Sequence, residues 1–327
     1  MLVLTAADVK RCVGMAECIS AVRAELIEEA KGAHKQFSRH QLSGGEGQAL
    51  MGLMPIAQVA GDPTWALKAV TVARSNRARG LDTHQGVMLL FEGCTGLPLA
   101  VIDASAITAL RTAATSAIAT LALARPDVSR VAFLGAGTQA RAHLEALRLV
   151  LPHAEFTLWS RSGAASLAEE MGAKACQDIA AALRDADVIC TATAADKPLI
   201  DPRWVMPGAH INAIGASRPD ARELGSDLIA DAELFTDSRL QAHTECGEYL
   251  LPLAERRITA NHILAELGEV LAGFHPGRSG SDALTIFKSL GTATQDLAAA
   301  KLVLRKAHSL GEGQSINWTD DAIPQGA

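Results

Sequence analysis

The sequence predicts an α/β fold, a doubly wound parallel sheet joined to a second domain of mixed α+β character, and three observations carry that expectation. The apolar run VAFL ends in Gly135-Ala136-Gly137 and opens into the helical period AHLEALRLV. Beyond it, strand-like and helical segments alternate through FTLWSR, ASLAEEMGA, ADVICTATA, AHINAIGAS and AELFTDS, the pattern of parallel strands with helical crossovers. From Gln48 to Phe91 the texture differs: short apolar runs broken by Gly, Pro and Asp, such as ALMGLMPIA, TWALKAVTVA and GVMLLFEG, read as a mostly antiparallel sheet.

The remaining elements fit this frame. A length of 327 residues argues for two domains. Thr5-Ala6-Ala7-Asp8 has the form of a capping box, and Met15 to Ala30 carries apolar residues at helical spacing against a charged face. Ala104 to Ala124 reads as a long helix of small residues, capped by Asp103 and stopped ahead of Pro126, so Arg125-Pro126-Asp127 is a candidate domain junction. His262 to Gly273 and Thr294 to Leu304 are further helical periods, followed by the polar tail SINWTDDAIPQGA. No internal repeat or low-complexity segment is visible.

Composition excludes several functions. Net charge is −6, from 30 basic and 36 acidic residues interspersed along the chain, and one tyrosine and four tryptophans leave little for stacking on bases, which argues against nucleic acid. The six cysteines form no CxxC pair and have no histidine at metal-ligand spacing, so they read as reduced thiols of a cytoplasmic protein with no metal site. The N-terminus lacks the form of a leader, and the apolar stretch Thr112 to Ala124 is too short for a membrane span, so no membrane is expected.

The glycine pair has clear physical work to do. Gly135 allows the turn from strand to helix, and Gly137 lets backbone approach a pyrophosphate seated on the free N–H groups of the helix N-terminus, with Thr138 and Gln139 opening that helix. The third glycine of the usual pattern is Ala140, and a bare motif is weak, but the strand before, the helix after, and the later strand ending Thr191-Ala192-Thr193 supply the context of a Rossmann-type dinucleotide site. The second strand ends Trp159-Ser160-Arg161-Ser162, where an NAD enzyme places a carboxylate on the ribose 2′-hydroxyl. Arg161 offers a planar fork for a 2′-phosphate, with Ser160 and Ser162 as hydroxyl donors, which favours NADPH over NADH.

Several basic residues interrupt apolar stretches. Arg111, inside ITALRTAATSA, is either half of a structural ion pair or a bidentate clamp for a substrate carboxylate. Lys68, inside WALKAVTVA, either snorkels outward or faces a pocket. Arg39, His40 and His84 would by themselves be ordinary loop residues, and Asp220, in GASRPDARELG, is either a turn former or a group at the carboxyl end of the sheet.

Taken together, RHQLSGGEGQALMGLMP, LKAVTV, THQGVMLLFEGCTGLPLAVIDASAITALRTAATSA, FLGAGTQARAHLEAL, NAIGASRPDARELGSD and IFKSLGTATQDLAAAKLV resemble the ornithine cyclodeaminase/mu-crystallin family over nearly the whole chain. The resemblance implies a homodimer and a division into 1–118 with 305–327 as substrate and dimerisation domain and 119–304 as Rossmann domain. It carries the substrate-carboxylate arginines onto Arg39 and Arg111 and the active-site lysine onto Lys68; Asp220 and His84 are weaker candidates for a proton donor. It places Thr83 and His84 along the nicotinamide pocket, and adds Arg111, Thr191, Thr193, Gly215, Ser217 and Lys288 to the cofactor set.

Members of the family cyclise ornithine, aminate 2-oxo acids as alanine dehydrogenase does, or reduce cyclic ketimines, and the scaffold also serves as a non-catalytic NADPH-dependent ligand-binding protein. Cyclodeaminases carry a catalytic aspartate two residues after the glycine of NAIG, where this chain has Ser217. The resemblance therefore points to the ketimine reductase branch, which reduces Δ1-pyrroline-2-carboxylate or Δ1-piperideine-2-carboxylate to L-proline or L-pipecolate.

Overall fold

The computed structural model describes residues 1–37, 39–45 and 49–318; Ser38, Glu46, Gly47, Gln48 and the tail residues 319–327 lie outside the described residues. The chain forms two compact units. One contains Met1–Gly14, Gly32–Thr108 and Asp296–Ala327, the other Met15–Lys31 and Ala109–Gln295.

In chain order, β1 (Leu2–Leu4) leads to α1 (Ala6–Cys12), where the capping box forms: Asp8 N donates to Thr5 Oγ1 at 3.3 Å and Thr5 N to Asp8 Oδ2 at 2.8 Å. Then come α2 (Met15–Ala30), β2 (His34–Gln36), β3 (His40–Ser43), β4 (Leu50–Gln58), β5 (Thr64–Val72), β6 (His84–Glu92) and β7 (Pro98–Asp103). Asp103 Oδ1 accepts from Ala106 N at 2.7 Å, capping α3 (Ala104–Leu123). The alternating part follows: β8 (Arg130–Leu134), α4 (Thr138–Val150), β9 (Glu155–Trp159), α5 (Ala165–Glu170), β10 (Lys174–Ala175), α6 (Ile179–Leu183), β11 (Val188–Thr191) and β12 (His210–Ala213). The chain closes with α7 (Ser226–Ala230), β13 (Glu233–Thr236), α8 (Arg239–Glu245), α9 (Gly247–Ala254), β14 (Ile263–Glu266), α10 (Leu267–Leu271), β15 (Thr285–Lys288), α11 (Ala293–Leu310) and β16 (Gln314–Ser315).

In the first unit the sheet runs β16-β1-β7-β6-β5-β4-β2, with β3 pairing the same edge of β4 as β2. Strands β4 to β7 pair antiparallel, as the broken apolar texture implied. β3 covers Leu50 to Leu53 and β2 covers Ile56 to Gln58, and Pro55, which has no N–H to offer a ladder, falls in the gap between them. Met54, Ile56, Ala66, Met88, Leu90, Ala100 and Ile102 are buried on one sheet face, with Lys68 among them.

In the second unit the sheet order is β10-β9-β8-β11-β12-β15-β13-β14, every pair parallel. Strands covered on both faces need continuous apolar runs, and all of β11 and β12 and the last four residues of β8 are buried. The winding reverses between β8 and β11, which opens the crevice where such sheets bind ligands.

Three expectations change. Residues 262–273 are not one helix: β14 pairs with β13, and α10 starts only at Leu267, where Glu266 N donates to Glu269 Oε2 at 2.8 Å in a capping box. Pairing with β13 overrode the helical period ahead of Leu267. The units part inside α3 and α11, between 108 and 109 and between 295 and 296, rather than at 118, at Pro126 or at 304, because a long helix changes its packing partners along its length. α2 joins the second unit because it packs on α10, where a Cβ on Gly268 would stand 2.6 Å from Leu26 O. Finally, α3 begins eight residues ahead of Thr112 and is long and apolar enough to cross a membrane; 67% of its most apolar stretch is buried inside the protein, as in a core helix.

Two buried histidines couple this fold to pH. His143 on α4 bonds Gln139 O at 2.7 Å and Ser116 Oγ at 2.9 Å, and burial pushes its pKa down to about 4. His210 on β12 bonds Thr285 Oγ1 at 2.9 Å, and burial takes it to about 3. Below the ordinary imidazole value of about 6.5 the unfolded chain takes up protons that the native state refuses, so stability falls as pH falls from there towards 4. Urea midpoints between pH 7 and pH 4.5 should trace this loss, and His143→Gln, which keeps a polar group but no titration, should flatten the slope; an unchanged slope would rule His143 out as its source.

Candidate functional site

The carboxyl ends of β8 and β11 set the dinucleotide crevice. Gly135 has φ of +121°, and a Cβ there would lie 2.4 Å from Ala192 O on the segment leaving β11, so close approach as well as the turn demands glycine. Gly137 is the N-cap of α4 with no side-chain capping bond, and a Cβ there would meet nothing within 4 Å. The first N–H groups of α4 are thus approached over open space, with Thr138 exposed beside them, and Ala136 and Gln139 partly buried. Gln139 Oε1 is a buried acceptor with no hydrogen-bond partner among the described residues, which a ribose hydroxyl would satisfy. Ala140, in place of a third glycine, is fully buried. These features fit a dinucleotide.

β9 ends beside β8, pairing Trp159 with Leu134. Ser160 Oγ and Ser162 Oγ lie 3.2 Å apart, and Arg161 between them is exposed, with no ion-pair partner among the described residues.

On the other side of the switch point, a buried carboxylate the sequence reading missed takes up several of the candidate groups. Glu223 Oε2 accepts from Thr191 Oγ1 and Gly215 N, both at 2.7 Å, and Oε1 accepts from Thr193 N at 2.8 Å and Thr193 Oγ1 at 2.6 Å. Burial raises the Glu223 carboxyl above its ordinary range, against the pull of the Lys288 ammonium and the threonine hydroxyls. Lys288 itself is buried against Glu248, with Nζ 3.2 Å from Oε2. Ser217 is partly buried, and Asp220 stands exposed at the surface, its Oδ1 3.3 Å from Arg218 Nε.

In the first unit, strand register gathers the other candidates. Lys68 pairs with Met88 and Val72 with His84, so period 2 puts Lys68, Val70 and His84 on one sheet face. A Cβ on Gly52 would be 3.6 Å from both Arg39 Cδ and Val70 Cγ1, which lays the Arg39 stem along the same face. Lys68 Nζ is 2.6 Å from Asp296 Oδ2, both side chains being buried. His84 is exposed by its surface area, yet crowding by neighbouring atoms, then the charges of Lys68 and Arg39, push its imidazole below its ordinary value against the opposing pull of Asp82, and Thr83 Oγ1 is 3.1 Å from His84 Nδ1.

Arg111 in the second unit is held by a relay. Its Nη1 donates to Gln295 Oε1 at 2.8 Å, and Gln295 Nε2 donates to Asp237 Oδ2 at 3.1 Å. Asp237 can only accept, so the amide must present its oxygen to the guanidinium. Gly291 N also donates to Asp237, at 2.7 Å, and a Cβ on Gly291 would fall 2.5 Å from both Arg111 Nη atoms, so the guanidinium rests on that glycine.

The profile of the ornithine cyclodeaminase/mu-crystallin family matches residues 1–311. The chain belongs to this family. Ketimine reductase mu-crystallin of Mus musculus is 42% identical over 260 residues, covering 78% of this chain and 80% of its own. The Thermococcus litoralis Δ1-pyrroline-2-carboxylate reductase, solved with NADH and L-proline, has a TM-score of 0.92 at 31% identity, covering 97% of this chain and all of its own. An archaeal alanine dehydrogenase dimer with bound NAD has a TM-score of 0.91 at 36% identity, covering 98% and 99%.

Within this ornithine cyclodeaminase/mu-crystallin chain, the residues that hold the functional candidates are the ones sequence reading missed: Glu223, Glu248, Asp237, Gln295 and Asp296. A signal existed for the last two. Gln295-Asp296 is a polar pair opening the Ala-rich run LAAA, the same kind of interruption that marked Arg111. Chemically, one sheet face offers an oriented ammonium, a guanidinium and an imidazole, a second guanidinium is held on a glycine, and the sheet crevice offers uncapped N–H groups: groups for binding anions, donating a proton and seating a dinucleotide.

Proposed function

We propose that this protein reduces cyclic 2-carboxy ketimines, Δ1-pyrroline-2-carboxylate or Δ1-piperideine-2-carboxylate, to L-proline or L-pipecolate with NADPH. Family and relatives make the chain an NAD(P)H-dependent reductase acting on C=N bonds. The observation that carries the finer reading is Lys68, buried and oriented by Asp296 on the same sheet face as Arg39. Ser217 supports it too, because cyclisation of a diamino acid would want a carboxylate there.

The roles follow from the chemistry. Arg111, held by Gln295, and Arg39 bind the substrate carboxylate and fix the ring's orientation, an effect worth several kcal/mol of barrier. Lys68 delivers a proton to the imine nitrogen, because a protonated imine accepts a hydride far more readily than a neutral one. Gly135, Gly137 and the first turn of α4 hold the dinucleotide, whose reduced nicotinamide supplies the hydride when bound. The likeness to alanine dehydrogenase favours one second reading, reversible amination of an open-chain 2-oxo acid, which would make turnover depend on ammonia.

Steady-state kinetics on Δ1-pyrroline-2-carboxylate test the assignment. Arg111→Ala should raise KM about 100-fold, and Lys68→Met should lower kcat about 100-fold with a smaller change in KM. An unchanged KM in the arginine variant would sink the carboxylate role, and turnover only with ammonia and a 2-oxo acid would favour the second reading.

The choice of NADPH rests on Ser160-Arg161-Ser162, since the two solved relatives hold NADH and NAD. The wild type should prefer NADPH by about tenfold in kcat/KM, and Arg161→Ala should erase that preference by weakening NADPH alone. Equal use of both cofactors before and after the change would refute it.

A homodimer is also part of the proposal. The sheet face opposite Lys68 is apolar and open, with Trp65 56% exposed and Met51 and Val87 each 39% exposed. A second copy of the chain is the occupant we assign to it, in keeping with the dimeric archaeal relative. Sedimentation equilibrium should give twice the monomer mass for the wild type and the monomer mass for Trp65→Glu; a monomeric wild type would end this part of the reading.

A further inference from the structure

Glu223 is the centre of a closed ring of contacts. Beyond its four donors, its own N–H donates to Glu248 Oε1 at 2.8 Å. Glu248 Oε2 faces Lys288 Nζ at 3.2 Å, and Lys288 donates to Ala216 O. Ala216 follows Gly215, whose N–H returns to Glu223, so the ring closes. All three charged side chains are buried. Lys288, which the resemblance placed in the cofactor set, makes these contacts within the protein.

The ring joins the segments leaving β11 and β12. These strands lie on the side of the switch point away from β9; an adenosine ribose would sit at the end of β9, so the nicotinamide half of a dinucleotide would fall to the carboxyl ends of β11 and β12. Both Glu223 oxygens must accept, because Thr193 N points at one and Gly215 N at the other. The fit leaves no slack: a Cβ on Gly215 would stand 2.3 Å from Thr193 O and 2.5 Å from Glu223 Oε1.

We propose that Glu223 is a positioning residue for the nicotinamide end of the cofactor, setting the two segments on which that end rests. The inference depends on nicotinamide nucleotide binding but not on the identity of the imine. A glutamine has the same shape but only one accepting atom, so its NH₂ would oppose one of the two backbone N–H groups and push a segment aside.

The test compares two ligands by fluorescence titration: NADPH, and adenosine 2′,5′-bisphosphate, which lacks the nicotinamide end. Glu223→Gln should weaken NADPH about tenfold, the size of one lost hydrogen bond to a charged group, and leave the bisphosphate unchanged. Thr191→Val, which removes a single donor and keeps the side-chain shape, should weaken NADPH about threefold with the same selectivity, and it carries the test if the first variant does not fold. Equal weakening of both ligands, or of neither while thermal stability drops, would reduce Glu223 to a structural residue and overturn the proposal. Wild-type protein that binds NADPH yet leaves cyclic imines unreduced would overturn the reaction proposed above and not this inference.

Discussion

An ion removed from water must find a partner or lose its charge, and the arrangement of this molecule's functional groups follows from that cost. Lys68 is buried because Asp296 meets it, and Lys288 because Glu248 does. Arg111 is oriented differently, by an amide oxygen whose direction a carboxylate one step further away decides. A contact to glutamine adds no negative charge of its own beside the guanidinium, while still removing its freedom to swing. The buried carboxylate at Glu223 works in the opposite sense, gathering backbone and hydroxyl donors so that two strand ends keep a fixed separation.

Much of the fold was legible in the sequence because its signals are local. The capping box at Thr5, the helix from Met15 to Ala30, the antiparallel strands from Leu50 onward and the parallel strands after Pro126 all declare themselves through spacing over a few residues. β14 and β15 did not, because a four-residue strand inside a parallel sheet is defined by its neighbours rather than by its own pattern. The parting of the two units was hidden for a related reason: it falls within continuous helices, and no change of periodicity marks the residue where a helix exchanges one set of neighbours for another.

The candidate site divides along the same line. Arg111 and Lys68 stood out as charges in apolar runs, and Ser160-Arg161-Ser162 as an absent carboxylate. What each charge would be held by could not be read, since Gln295 is 184 residues from Arg111 and Glu223 is 32 from Thr191. Pairings over such separations belong to topology. The candidate ligand-binding residues are therefore the easier half of such a site to find from sequence, and the residues that aim them the harder half.

Gln295 and Asp296 are neighbours in the first turn of α11, and a helix rotates by about 100° per residue, so their side chains leave the axis in widely different directions. One aims a guanidinium and the next an ammonium. Inserting or deleting a single residue upstream in that turn would misdirect both together, whereas a substitution at either position disturbs one charge and spares the other. The start of α11 thus couples two charges through its length alone: its register sets both directions at once, while each side chain sets only one.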